Sequence, residues 1–115
     1  MKNCDELIKA CADCISACKC GCSKICTKTE TVTKEERDCA KMWADCATIC
    51  EACIHFAGRG SCHLEQMMKV CCSVCDKCAQ ECSKHNTEEC KKVADVCKKC
   101  CEVCNKCCSE CRKCA

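Results

Sequence analysis

The chain has 115 residues, 26 of them Cys, with a formal net charge of +2 and 31% charged residues of both signs. This length predicts a single domain over residues 1–115, and the balanced charge argues against partners such as nucleic acid or a membrane surface. Disulfide-rich secreted scaffolds are disfavoured, because the chain has three Gly and no Pro for turns and opens on MKNCDELIKACADC, which lacks an apolar signal-peptide run.

The first predicted helix lies between Asn3 and Thr27. The Cys of one face are three, four or seven positions apart, which is the spacing of one side of a helix. That face comprises Cys4, Leu7, Ile8, Cys11, Cys14, Ile15, Cys18, Cys22, Ile25 and Cys26. Cys20 lies off this face, and we assign it no role.

Three further helices follow with the same period. The second, from Lys34 to Ala57, has a face of Cys39, Met42, Trp43, Cys46, Ile49, Cys50, Cys53 and Phe56. The third, from Cys62 to Lys84, has Leu64, Met67, Met68, Cys71, Val74, Cys75, Cys78 and Cys82. The fourth, from Thr87 onward, has Cys90, Val93, Cys97, Cys100, Cys101, Cys104, Cys107, Cys108, Cys111 and Cys114, with Cys at heptad positions a, d and e.

Helix-capping signals agree with these boundaries. Capping-box spacing is present at Asn3 with Glu6, Thr33 with Glu36 and Asn86 with Glu89, while Ser61 is a candidate N-cap and Gly58 a candidate helix end. The predicted loops are short, at 28–33, 58–61 and 85–86, and short loops favour antiparallel neighbours. We therefore predict an all-α fold: an antiparallel up-down-up-down four-helix bundle with a Cys-lined core.

The helical period also explains a spacing typical of ferredoxins. The pattern C-x2-C-x2-C-x3-C occurs at Cys72, Cys75, Cys78 and Cys82, and again at Cys101, Cys104, Cys107 and Cys111. A helix with Cys at a, d and e produces this spacing automatically, and no Pro follows either run. An iron–sulfur protein therefore remains only as an alternative.

The number of core thiols points to metal binding. Without Cys the chain has 30 apolar residues, 11 of them Ala, so Cys must fill much of the interior. Leu or Val would fill that space without the risk of oxidation, which argues against packing as the purpose of the thiols. In the cytosol, where we place the chain, thiols stay reduced and Cys patterns more often indicate metal or redox chemistry.

Charge selects Cu(I) among the soft metal ions. A Zn(Cys)4 site carries a charge of −2, and stacking several in a dry core is costly. One Cu(I) per thiolate is neutral, and Cu(I) accepts two or three sulfurs, so about 20 or more ions per chain can be held. No nucleophile–base pair, phosphate loop or paired-carboxylate site stands out, so we expect no enzyme activity.

The segments CADCISACKCGCSKIC, DCATICEAC, CCSVCDKCAQECSKHNTEEC and CKKCCEVC resemble the copper storage protein family, in particular its cytosolic bacterial branch. The resemblance covers essentially the whole chain. It implies a four-helix bundle that stores many Cu(I) ions on inward Cys, commonly as a homotetramer. The chain departs in having more Cys than expected and in having only His85 in the third connection, where relatives often have several His.

The two ends of the predicted bundle differ in chemistry. One end, here called the closed end, gathers Leu7, Ile8, Ile54, Phe56, Leu64, Met67 and Met68. The opposite end, here called the open end, gathers soft or borderline ligands: Cys22, Cys26, Cys39, Met42, Cys82, His85 and Cys90. We expect metal to load at the open end, with His85 included because the family has His in that connection. His55 and His63 are interpreted as surface or helix-end residues.

The predicted function is cytosolic storage and sequestration of many Cu(I) ions by core thiolates. The predicted metal ligands are Cys4, Cys11, Cys14, Cys18, Cys22, Cys26, Cys39, Met42, Cys46, Cys50, Cys53, Cys62, Cys71, Cys72, Cys75, Cys78, Cys82, His85, Cys90, Cys97, Cys100, Cys101, Cys104, Cys107, Cys108, Cys111 and Cys114. A zinc or cadmium buffer similar to metallothionein is a second alternative, although such chains have little helix. A redox protein would need an accessible thiol of depressed pKa, which buried mid-helix Cys do not provide.

Overall fold

A computed structural model describes the backbone of residues 4–114 and the side chains of residues 5–107. It contains four helices: α1 (Cys4–Cys26), α2 (Lys34–Arg59), α3 (Leu64–Cys82) and α4 (Glu88–Cys114). The predicted all-α fold is confirmed. The predicted Asn3 cap lies outside the described residues, as do the side chains of Cys4, Cys108, Cys111 and Cys114.

The four helices form a bundle in which each helix packs against its neighbours in the chain and α4 packs back on α1. Sulfur contacts show the antiparallel directions. Along α1 and α4, Cys11 contacts Cys100 and Cys14 contacts Cys97. One number rises while the other falls, as antiparallel packing requires. No helix in the described range 4–114 combines the length and hydropathy needed to span a bilayer.

Helix α2 has the best-defined ends. The predicted capping box is confirmed: the Glu36 N–H donates to Thr33 Oγ1 over 3.1 Å, and the Thr33 N–H donates to Glu36 Oε1 over 3.0 Å. The prediction that Gly58 ends the helix is wrong. The helix continues to Arg59, and Gly60 provides the left-handed residue, at φ +63°.

Two other capping predictions need correction. Ser61 is not the N-cap of α3, because the helix starts at Leu64 after His63, and the Ser61 hydroxyl accepts the His63 N–H within the preceding turn. The cap of α4 is one residue later than predicted. There Thr87 Oγ1 accepts the N–H of Cys90 over 3.1 Å, while the side chain of Glu89 pairs with Lys24.

The interior of the bundle is lined by Cys and contains no charged group among the side chains of residues 5–107. Sixteen Cys are buried there, together with Leu7, Trp43, Leu64, Met68 and several small Ala and Val residues. Charged side chains lie outside and form ion pairs across the helices, such as Lys19 with Glu51 at 2.8 Å. Such exposed pairs contribute little, about 0–1 kcal/mol each. Burial of apolar side chains and thiols therefore holds the helices together.

Candidate metal centre

Thirteen of the sixteen buried thiols form a set along the bundle axis, here called the thiol column. It comprises Cys11, Cys14, Cys18, Cys46, Cys50, Cys53, Cys71, Cys75, Cys78, Cys82, Cys97, Cys100 and Cys104. The helical period places these residues on inward faces, because positions three and four apart share one side of a helix. Within the described side chains, each helix contributes at least three thiols, so metal bound here would join all four helices.

The middle of the thiol column contains three groups of four Sγ atoms, each with all members within 4.8 Å of one another. One group takes a Cys from every helix: Cys11, Cys50, Cys71 and Cys100. The two further groups are Cys14, Cys46, Cys50 and Cys75, and Cys14, Cys18, Cys46 and Cys97. Because Cys14, Cys46 and Cys50 each belong to two groups, the groups are not separate sites but parts of one connected array.

Close sulfur contacts link the array. The Sγ atoms of Cys14 and Cys46 lie 3.4 Å apart, and Cys46 lies 3.6 Å from Cys75. The Cys71 sulfur lies 3.8 Å from Cys50 and 3.9 Å from Cys100. These distances are short enough for one small ion to contact several sulfurs after modest side-chain rotation. Thiolate sulfur is the ligand that selects soft ions such as Cu(I).

Protonation of the thiols follows from their contacts and burial. The hydrogen bond with the Cys100 thiol is the largest of several causes that raise the pKa of Cys11 well above its ordinary value, and burial is a further one. Within the same network, hydrogen bonds from Cys14 and further thiols lower the pKa of Cys46. Near the open end, burial and then Cys90 raise the pKa of Cys39 to about 11. A thiol such as Cys39 is protonated at neutral pH and must release its proton when a metal ion binds.

The open end contains a cavity of ≈350 Å³. Cys39, Cys90 and His85 line it together with Trp43, Gly21 and Ile25. The structure therefore brings three predicted ligands, from α2, α4 and the α3–α4 connection, to one opening. Met42 is half-buried against the core and is not part of this lining.

Sequence reasoning gave no role to Trp43, which the structure places between the cavity and the thiol column. Its side chain is 2% exposed, and its Nε1–H donates to the Sγ of Cys82 over 3.2 Å. A Cβ on Gly21 would lie 2.7 Å from the Trp43 ring, so only Gly allows the ring to lie there. The sequence did offer one signal, Gly21 itself. A Gly inside a helix lowers the stability of that helix and often marks a position where another group comes close to the backbone.

Several predicted ligands lie away from the thiol column. Cys26 and Cys62 are exposed, as is the unassigned Cys20. Cys22 is half-buried, and its thiol donates to the Ala40 carbonyl over 3.4 Å. Cys72 and Cys101 are half-buried between α3 and α4. Cys107 is buried. At the closed end, Leu7, Leu64 and Met68 are buried and the other predicted residues, Ile8, Ile54, Phe56 and Met67, pack partly buried against the core.

Comparisons of this chain with family models and with solved structures agree with each other. A family model described as "Csp: Copper storage protein" matches residues 1–115. A solved structure of Cu(I)-bound copper storage protein BsCsp3 is 28% identical and superposes with a TM-score of 0.81, covering 89% of this chain and 94% of its own. The metal-free Csp3 of Bacillus subtilis is 26% identical, with a TM-score of 0.79 and coverages of 90% and 97%. Among curated protein sequences, none matches.

Proposed function

We propose, from the premise that this chain belongs to the copper storage protein family, that it stores many Cu(I) ions on the thiolates of the thiol column. The observation that carries the proposal is the connected array of four-sulfur groups in the middle of the bundle. Shared members such as Cys46 fit bridging thiolates, in which one sulfur contacts more than one ion. The array provides capacity, so we infer storage rather than catalysis.

The uncharged interior supports Cu(I) as the stored ion. No charged side chain is buried within residues 5–107, so the protein provides no cation to neutralise an anionic cluster. A Zn(Cys)4 site would leave a charge of −2 in this interior, and each uncompensated buried charge costs several kcal/mol. Cu(I) bound at one ion per thiolate is neutral. We therefore expect about one ion per bound sulfur: the 13 thiols of the column would hold about 13 ions, and further Cys of the chain would bring the total toward 20.

The two alternatives predict different structures. A buffer similar to metallothionein would have little helix, whereas four helices make up most of the described chain. An iron–sulfur cluster held by the first ferredoxin-like run would need its four thiols around one point. In the structure Cys75 contacts Cys46 and Cys50, while Cys72 is directed away, toward the Cys101 carbonyl. The observed arrangement thus favours storage of Cu(I).

Metal enters, in this proposal, at the open end. The supporting observation is the cavity lined by Cys39, Cys90 and His85, which are soft or borderline ligands next to solvent. The closed end presents the buried apolar side chains Leu7, Leu64 and Met68 instead. Ions bound at the open end would then pass Trp43 to reach Cys82, its hydrogen-bonding partner in the thiol column.

Family membership also supports two proposals on the setting of the protein. We infer a cytosolic location, where thiols remain reduced, and a homotetrameric assembly. Light scattering on the purified protein tests the assembly, and fractionation of cells that produce the full chain tests the location. A stable monomer, or a protein recovered outside the cytosol, would contradict the respective proposal.

The storage proposal is tested by anaerobic titration of the reduced protein with Cu(I) against a competing chelator, followed by metal analysis. We expect uptake to continue well beyond one site and to approach about 20 ions per chain. A parallel titration with Zn(II) should saturate at far fewer ions. A Cu(I) plateau at about one to four ions per chain would contradict storage and indicate a discrete site.

A further inference from the structure

Two cysteines form a pair outside the thiol column, on the surface line where α3 meets α4. Cys72 follows the column residue Cys71, and Cys101 follows the column residue Cys100. Cys71 and Cys100 are fully buried, whereas Cys72 and Cys101 are only half-buried. We call Cys72 and Cys101 the seam pair.

Helix geometry accounts for this position. In an α-helix each residue is rotated about 100° from the one before it. Helices α3 and α4 run antiparallel. Viewed from one end of the bundle, one step along α3 therefore turns clockwise or anticlockwise, and one step along α4 turns the opposite way. The Sγ atoms of Cys71 and Cys100 meet at 3.9 Å inside the column. One step along each chain therefore turns Cys72 and Cys101 out of the core and toward the same seam.

The two thiols of the seam pair make reciprocal contacts. The Cys72 thiol donates to the carbonyl of Cys101 over 3.8 Å, and the Cys101 thiol donates to the carbonyl of Cys72 over 3.6 Å. The Cys72 sulfur also lies 3.5 Å from Asn105 Oδ1. Each thiol thus lies against the backbone of the other cysteine, so the two side chains are neighbours at the seam. Neither belongs to a four-sulfur group of the column.

The surroundings suit a different kind of metal binding from that in the column. Two thiolates on one Cu(I) carry a net charge of −1, which would be costly in the dry column. The two residues of the seam pair are partly exposed, so that charge is less completely removed from water there than in the column. Half-exposure also lets a third soft ligand from solution approach the ion, which fully buried Cys71 and Cys100 do not allow.

We propose that the seam pair is a separate two-thiolate site that binds one Cu(I) and exchanges it with thiols in solution. The choice of ion rests on the proposed storage function. On binding, Cys72 and Cys101 each lose the Sγ proton, two S–Cu bonds form, and the ligands that carried the ion leave with the two protons. No electron is transferred. Release is the reverse step, begun by an incoming thiolate that becomes the third ligand of the ion.

The test is anaerobic alkylation of the intact chain, with the modified residues identified by mass spectrometry. Alkylation is compared for the reduced metal-free protein, the protein fully loaded with Cu(I), and the loaded protein at intervals after glutathione is added. Cys20, which is exposed and has no assigned role, provides the internal control, because it should react equally in all samples.

We expect Cys72 and Cys101 to be alkylated in the metal-free protein and protected in the loaded protein. After glutathione is added they should regain their own metal-free alkylation rate at least about tenfold sooner than Cys71 and Cys100 regain theirs, a barrier difference of about 1.4 kcal/mol. The variant Cys72→Ser/Cys101→Ser should bind about one Cu(I) fewer per chain, in line with two sulfurs on one ion. Circular dichroism confirms that this variant is folded.

Three outcomes are distinguishable. If the column is protected by Cu(I) but Cys72 and Cys101 react at full load as Cys20 does, the seam site does not exist and storage stands. If the seam pair is protected but loses its copper as slowly as Cys71 and Cys100 do, the proposed exchange role is wrong. If the column thiols are alkylated at full load as fast as in the metal-free protein, it is the storage function that fails.

Discussion

The indole nitrogen of Trp43 donates a hydrogen bond to the Sγ atom of Cys82, 3.2 Å away. Trp43 is the only Trp of the chain. It lines the cavity at the open end, and its partner is a thiol of the column. The contact thus connects the two parts of the proposed storage site and places a natural fluorophore between them.

We predict that Trp43 fluorescence reports metal binding at Cys82. A Cu(I) ion on the Cys82 sulfur competes with the indole N–H for that sulfur, so the emission intensity and maximum should change during loading. The variant Cys82→Ala should lose most of this change. Cys53→Ala, which removes a buried thiol elsewhere in the bundle, should keep it. An unaltered signal in Cys82→Ala would show that the emission responds to something other than this contact.

The second prediction concerns Gly21, which packs under the Trp43 ring. A Cβ at this position would lie 2.7 Å from ring carbon Cζ3, so Gly21→Ala forces the ring to move and should cost about 1–3 kcal/mol of unfolding free energy. The control is Gly58→Ala, because Gly58 lies in α2 with no atom within 4 Å of an added Cβ. There Ala should raise stability by about 0.5–1 kcal/mol.

Urea unfolding of both variants in a reducing buffer, followed by circular dichroism, provides the comparison. Equal effects of the two substitutions would mean that the Trp43 ring has room to move without cost.

Copper loading should raise the melting temperature of the protein. Ions on the thiol column bind sulfurs from all four helices, so they favour the folded state over the unfolded chain by mass action. The free energy of unfolding should rise by about 1.4 kcal/mol for each tenfold increase in free Cu(I) above its dissociation constant. Scans of metal-free and loaded samples under anaerobic conditions measure it. Equal melting temperatures would contradict binding that joins the helices.

Alkaline pH should destabilise the metal-free protein. Burial raises the pKa of Cys39 from its ordinary value of 9.0 to about 11, so folding retains a proton that the unfolded chain releases between these values. The stabilisation is complete below pH 9.0 and is lost as the pH rises toward about 11. Burial first, and the hydrogen bond with Cys72 second, raise the pKa of Cys101 to about 12. Deprotonation of Cys101 at alkaline pH therefore also lowers the stability of the folded protein.

Denaturant unfolding at several pH values across that window measures the effect. The copper-loaded protein is the control, because sulfurs that bind metal carry no proton and cannot titrate there. A stability that stays constant or rises across the window would contradict the predicted direction.

The last prediction concerns the direction of loading. Replacing His85 and Met42 with Ala should slow Cu(I) uptake and chelator-driven removal several-fold and leave the final capacity nearly unchanged, because the column thiols remain. The single variant His85→Ala should produce most of this effect, since His85 lines the cavity and Met42 does not. Met67→Leu with Met68→Leu keeps the apolar volume of the closed end and should change neither rate much.

Stopped-flow uptake on these variants gives the comparison. A slow Met67/Met68 variant would place the entrance at the other end. Normal rates in all of them would mean that copper reaches the column through opening of the helices.

The sequence predicted the fold well because the Cys period identifies the inward faces of all four helices. It could not locate every helix end, since Gly58 and Gly60 are both able to adopt a left-handed conformation, and the structure uses Gly60. The a, d and e pattern also treated Cys101 as a core residue. The structure places it at the seam, because an e position lies at the edge of the face and the spacing of α3 and α4 decides which side it takes.

The contact of Trp43 with Cys82 was likewise beyond sequence reasoning. The two residues are 39 positions apart and belong to different helices. Their meeting depends on the side-chain rotamer of the indole and on space beside Gly21, neither of which a hydrophobic period specifies.

The succession of the helices, each packed on the next through a short connection, has a consequence for biosynthesis. A bundle dominated by contacts between chain neighbours has low contact order, and such topologies fold in microseconds to milliseconds. Slow folding would leave the 26 thiols of the unfolded chain exposed for longer to metal ions and to exchange with other thiols. Because α1 packs directly on α2 and α3 on α4, each helix has a packing partner next to it in the chain, which shortens the time for which the thiols are exposed.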